Sequence, residues 1–306
     1  MPSENLYSPP DMEPLPPRFV LDPVPVRRPV RLQALLFLAT AATTFAAGVV
    51  GWEPVVLGID ADLAGQLGEH WQRGLVYMAA VLAVLGAHEA GHFIAAVVHR
   101  IPATLPLFIP MPVLLTGTLG AVIGMEGSRA DRRQLFDIAL AGPIAGLVVA
   151  LPVLAAGMLT GQAADVSPFA TSPVAAWMQA VLRPDLAAGT SIAPNALFMA
   201  GWVGLLVTGL NMIPVSQLDG GHVSYAVFGR RAHWLARGIL LTAITAIVVL
   251  GRYNWIAMVV IVALIGTDHP PIRDDGRPLG LGRTLLGLAS LLIPIVTFMP
   301  EPLLFE

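Results

Sequence analysis

Residues 87–92 read Ala-His88-Glu89-Ala90-Gly91-His92: two imidazoles four positions apart, with a carboxylate beside the first. On a helix, four residues advance the chain by about 6 Å and turn it by about 40° relative to the start. Both rings then share one face and lie close enough to bind a single ion. Glu89 projects beside them, where a glutamate that is not a ligand can take a proton from a water activated by the metal. All three groups fall within an apolar run. Ionisable side chains are costly in hydrocarbon and mark a functional site by default. The competing reading is that the three satisfy one another inside a helix bundle.

Two histidines leave a catalytic zinc short, because such a site usually has three protein ligands and one open position. The chain contains no cysteine, so the third donor must be His, Asp or Glu. The segment Asn211-Met212-Ile213-Pro214-Val215-Ser216-Gln217-Leu218-Asp219-Gly220-Gly221-His222 ends another apolar run. Pro214 can break that helix and Gly220-Gly221 permits a sharp turn, which leaves Asp219 free to point inward. The alternative for Asp219 is a solvated loop carboxylate. His222 can approach the metal, act behind its ligands or face the cytoplasm, and the last reading is preferred. His99, Glu126 and Asp137 read as exposed boundary residues, and 268–275 reads as a solvated loop.

The elements that must position these groups follow from hydropathy. The chain has 306 residues, 56% hydrophobic and only 12% charged, with mean hydropathy +0.73, whereas soluble domains carry about 25% charged residues. This composition points to an all-α polytopic membrane protein and all but excludes a soluble enzyme. With a formal net charge of −3 there is no basic surplus to neutralise phosphates, so a nucleic-acid partner is excluded. A spanning helix needs about 20 apolar residues. Stretches 32–50, 74–98, 138–159 and 196–214 meet that length, and 234–251, 255–267 and 279–299 bring the count to six or seven. Pro143 is a candidate kink in the third. The motif Gly142-x-x-x-Gly146 in the same run reads as close helix packing in lipid.

All 17 cationic side chains are arginine. If every run spans and the N-terminus is cytoplasmic, 14 of them fall inside and only Arg73, Arg183 and Arg252 outside, which is the positive-inside pattern. Residues 1–31 form a Pro-rich tail expected to be disordered and cytoplasmic, and 301–306 form a short C-terminal tail. The stretch 101–127 is apolar but broken by prolines and glycines, with Arg100 before it and Arg129, Arg132 and Arg133 after it. It reads as a re-entrant, β-hairpin-like membrane loop. Non-helical backbone at membrane depth requires protein or water around it, so such a loop implies an internal site. A proline-rich interfacial loop is the alternative.

These motifs together resemble the site-2 protease family of intramembrane zinc metalloproteases. The match rests on His88-Glu89-Ala90-Gly91-His92, on Asn211-x-x-Pro214-x-x-x-Leu218-Asp219-Gly220 and on Ala141-Gly142-Pro143-Ile144-Ala145-Gly146. The chain looks closest to the compact form without PDZ or paired cystathionine-synthase-type domains. The resemblance implies one zinc ion per chain held by His88, His92 and Asp219, with Glu89 as general base and acid. It also implies that Asn211 and the region of Gly117, Thr118, Leu119 and Gly120 hold the substrate backbone. The corresponding domain covers 32–300, with core helices at about 74–98, 138–159 and 196–214. The implied activity is regulated intramembrane proteolysis, an endopeptidase cutting transmembrane segments of other membrane proteins. Partners are then such substrates and the lipid bilayer. A homo-oligomer stays open, and the location is a bacterial inner (plasma) membrane with the site toward the cytoplasm. Two rivals come from other classes: a transporter or channel, which predicts paired broken helices in internal repeats that are not found, and a catalytically silent scaffold on the same fold, which predicts a lost ligand or base.

Overall fold

The structure is a computed structural model that describes residues 30–52, 63–187, 189–251, 256–299 and 302. The proline-rich stretch 1–29, Arg252 and the C-terminal tail apart from Pro302 lie outside the described residues.

The order is α1 (Val30–Val49), α2 (Leu63–Val98), β1 (Leu107–Pro110), β2 (Thr118–Val122), α3 (Arg132–Thr160), β3 (Ala163–Ala164), α4 (Pro173–Leu182), β4 (Ser191–Ile192), α5 (Ala196–Asn211), α6 (Asp219–Phe228), α7 (Ala232–Leu250), α8 (Ile256–Ile265), α9 (Leu281–Ser290) and α10 (Ile293–Thr297). Among the described residues, four helical stretches are long and apolar enough to cross a membrane: 30–49, 65–98, 132–160 and 219–250. The fourth differs from the fourth span expected from hydropathy. Helix α5 stops at Asn211 rather than at 214, because Pro214 and a turn with Ser216 at φ +51° follow, and its 16 residues rise only about 24 Å. The run 279–299 is likewise not one helix; it divides into α9 and α10, the second opening with Pro294 in its first turn, where a missing amide hydrogen costs nothing.

The core lies where α2, α3 and α5 meet, around Tyr77, Leu154, Met158, Met199, Trp202 and Leu205, all nearly or fully buried. Helix α3 begins with a capping box: Asp131 accepts from the amides of Arg133 and Gln134, while the Gln134 side chain accepts from the Asp131 amide. Pro143 and Pro152 both sit inside α3, which nonetheless continues from 132 to 160.

The stretch 101–127 does contain a β-hairpin. Strands β1 and β2 pair antiparallel, Leu107 with Val122 and Phe108 with Ala121, and the register shifts between Ile109 and Pro110. The hairpin leans on α1 and α2: Phe37 meets Phe108 edge-on at 5.2 Å, and the Tyr77 hydroxyl donates to the Thr116 carbonyl at 3.0 Å. Residues 161–194 join α3 to α5. They hold the β3–β4 ladder and α4, which is capped by the Ser172 side chain accepting from the Ala175 amide.

Candidate metal centre

Helix α2 carries His88, Glu89 and His92 at helical spacing, and all three are buried. Asp219 reaches them from the first residue of α6. A carboxylate suits that position, since the end of a helix where amides are unpaired is positive. The turn before it is tight: a side chain on Gly220 would strike the Met212 carbonyl, and one on Gly221 the Val215 and Ser216 carbonyls.

The donors converge. His88 Nε2 lies 3.1 Å from His92 Nε2 and 3.2 Å from Asp219 Oδ2, and His92 Nε2 lies 3.3 Å from Asp219 Oδ1. A tetrahedral ion with bonds of about 2.0–2.1 Å needs its donors about 3.3 Å apart, and the two imidazole nitrogens and the two oxygens of the Asp219 carboxylate approach one another at that scale, each ring facing a different oxygen. Protons make the same point. His92 Nδ1 sits 2.8 Å from the Ile138 carbonyl, which can only accept, so in the neutral ring the proton is on Nδ1 and Nε2 is a lone pair. That lone pair faces a carboxylate oxygen. The contact needs positive charge between the two groups, which a cation supplies, and the residues present therefore fit a metal ion. The Ile138 carbonyl also fixes the ring orientation, as partners behind metal-bound histidines do.

Glu89 lines the same cavity, and its Oε2 has no hydrogen-bond partner among the described residues. The cavity measures about 530 Å³. Asn211 is also on its wall, with its amide nitrogen 3.3 Å from His88 Nε2. The expected loop residues fall elsewhere. Gly117 has φ +73°, and a side chain there would strike the Thr43 carbonyl of α1. The Thr118 hydroxyl donates to the Ile109 carbonyl within the hairpin, and Leu119 and Gly120 do not line the cavity. The backbone that does line it is 121–128.

Three readings change. His222 does not simply face solvent: it lines the cavity and pairs with His269, ring nitrogens 2.6 Å apart. The segment 268–275 is not a free loop, since His269, Pro270 and Pro271 form part of the same wall. Asp137 is not merely an exposed boundary group; it bonds both His99 at 3.0 Å and Arg283 at 2.8 Å. Gly142 and Gly146 also gain a role that lipid packing did not suggest. A side chain on Gly142 would collide with the His92 ring, and one on Gly146 would come within 3.1 Å of His88 Nδ1. Their four-residue spacing, matching that of the histidines, was the available signal.

The model of Peptidase family M50 matches residues 76–251. Among curated proteins, the chain is 32% identical over 235 residues to the "Probable zinc metalloprotease EGY1, chloroplastic" of Arabidopsis thaliana, covering 72% of this chain and 42% of that one. It is 30% identical over 231 residues to the "Probable zinc metalloprotease EGY2, chloroplastic" of the same plant, covering 72% and 41%. It is also 30% identical over 233 residues to the EGY1 protein of Oryza sativa subsp. japonica, covering 72% and 39%. The chain thus spans about two fifths of the length of these relatives. No solved structure matches it. The stretch matched by the family model contains His88, Glu89, His92, Asn211 and Asp219, encloses two of the four helical stretches long enough to cross a membrane and covers most of a third: this integral membrane chain belongs to peptidase family M50.

Proposed function

We propose that the protein is an intramembrane zinc endopeptidase that hydrolyses peptide bonds in transmembrane segments of other membrane proteins. The observation that carries this reading is the convergence of His88, His92 and Asp219 within one cavity, with the buried carboxylate of Glu89 beside them. His88, His92 and Asp219 would hold the zinc, which when bound would supply Lewis acidity toward a water and a peptide carbonyl. Glu89 accepts a proton from the attacking water, whose oxygen bonds to the carbonyl carbon, and returns that proton to the leaving amide nitrogen as the C–N bond breaks, giving a carboxylic acid and an amine that settle as carboxylate and ammonium at neutral pH. Asn211, able both to donate and to accept, holds a substrate peptide group.

A transmembrane helix hides its carbonyls in its own hydrogen bonds, so cleavage requires local unwinding. β2, which among the described residues has β1 on one side only, offers an edge to the freed backbone. We take residues 101–127 as re-entrant, 32–300 as the protease domain, and the remaining apolar helices as completing six or seven spans. The arginine division supports an N-terminus and a site on the cytoplasmic side; we take the membrane to be a bacterial plasma membrane and the cut to release a regulatory fragment.

The test is cleavage of a helical membrane substrate in liposomes by the wild type and by Glu89→Gln, with metal content measured on both. The variant keeps its zinc and loses about 10²- to 10⁴-fold in turnover. Undiminished turnover sinks the mechanism.

A further inference from the structure

The cavity has two unlike walls. One is the end of the hairpin, 121–124, and the residues that continue it; the other includes His269, Pro270 and Pro271, from the connection between α8 and α9. That connection is secured along its length. His269 meets His222 at 2.6 Å, stacks on the Tyr225 ring at 4.2 Å between centroids, and donates its amide to His233 Nε2 at 3.2 Å. Further on, the Arg273 amide donates to the Ala130 carbonyl at 3.0 Å, the Arg132 amide to the Asp274 carbonyl at 3.3 Å, and Arg277 pairs with the buried Asp131. The wall is therefore held at a set distance from the metal cluster.

Its chemistry is equally restricted. Pro270 and Pro271 have no amide hydrogen to donate, and the Pro270 carbonyl already lies 2.6 Å from His269 Nδ1. An extended peptide in the cleft can form a ladder with the 121–124 side but not with this one. What the prolines present is ring carbon, both of them exposed toward the cavity, and such a surface selects by volume.

We propose that residues 269–271 are the specificity wall of the substrate cleft: side chains next to the scissile bond are sized against Pro270 and Pro271, and the His222–His269 contact sets the width. His269 acts here as a positioning residue. The proposal rests on the endopeptidase reading above and adds the element that chooses among substrates.

The experiment is a substrate series in which each position flanking the scissile bond is Ala, Val, Leu or Phe in turn, cleaved by the wild type, Pro271→Ala and His269→Ala. In the wild type, kcat/KM falls with volume at one or more positions. Both variants relax that discrimination about tenfold or more, the scale on which a pocket separates side chains by size, and His269→Gln restores part of it. Identical volume profiles in wild type and variants overturn the wall. If the variants do not fold, Pro271→Cys in the otherwise cysteine-free chain, combined with Glu89→Gln, gives a second measurement. Saturating substrate slows its alkylation severalfold; an unchanged rate overturns the proposal. A wild type that cleaves no member of the series fails the endopeptidase reading instead, and the wall falls with it.

Discussion

Gly142 shows how much of the metal centre depends on an absent side chain. The His92 ring occupies the volume that a Cβ at Gly142 would fill, so Gly142→Ala must move either the ring or the α3 backbone behind it. Loss of orientation behind a ligand typically costs about 10- to 100-fold in metal affinity, and we expect that loss in Gly142→Ala, read as zinc retained after dialysis against a chelator. Gly238→Ala, where nothing lies within 4 Å of the new carbon, retains zinc like the wild type; equal retention in both variants would refute the role. At this scale His88, Glu89 and His92 were legible because one helix fixes their relation by periodicity alone. Asp219 was legible because Pro214 and the Gly220-Gly221 pair announce a turn. His269 was not, since its contact with His222 crosses 47 positions and depends on where the connection before α9 lands.

Asp131 joins two elements, capping α3 and receiving Arg277 from the connection that walls the cavity. Burial by itself would raise its pKa, but the Gln134 and Arg133 amides and the Arg277 guanidinium outweigh that and hold the carboxyl below its ordinary value of 3.8. With the folded value the lower one, the unfolded chain binds the extra proton. The stabilisation is therefore complete above the ordinary carboxylate range and is lost as pH falls through the lowered value. Asn is as good an N-cap as Asp, so Asp131→Asn keeps the cap and loses the ion pair. We expect it to cost about 1 kcal/mol at neutral pH and to flatten the acid limb of a detergent unfolding series. A variant with wild-type acid sensitivity contradicts the assignment. Element boundaries were less legible than element existence. α2 starts at Leu63, ahead of the apolar run at 74, because the polar turns around Glu69 and Gln72 continue the same helix. Hydropathy registers the bilayer, whereas the helix ends where capping and packing end it.

For the molecule as a whole, the hydropathy pattern indicated the helical class and a broken, non-helical stretch between α2 and α3, with its strand edge implied only by the family resemblance, and it could not say which runs are continuous helices of spanning length. Orientation is directly testable because no native cysteine interferes. A cysteine at Ala187, exposed in the connection after α4, should react with a membrane-impermeant maleimide applied outside the cell. One at Ser128, exposed on the arginine-rich side, should react only after permeabilisation. The reverse pattern inverts the proposed topology. Removing metal with a chelator should lower the melting temperature, since a ligand present at 100 times its Kd stabilises by about 2.7 kcal/mol. Asp219→Ala should melt at the chelated temperature with or without the chelator, and a persistent difference would mean that the ion binds elsewhere.

The separation of His88 from Asp219, 131 positions along the chain, has one further consequence. In a sequence without disulfides, an ion gripped by both ends closes a ring that contains the hairpin, α3 and α5. Closing a loop of roughly that size by a cross-link removes about 4.7 kcal/mol of unfolded-chain entropy in the simplest polymer treatment. On the proposed function, the same atoms that would cut a substrate would thus also clasp the fold shut, and loss of the ion would remove activity and clasp together.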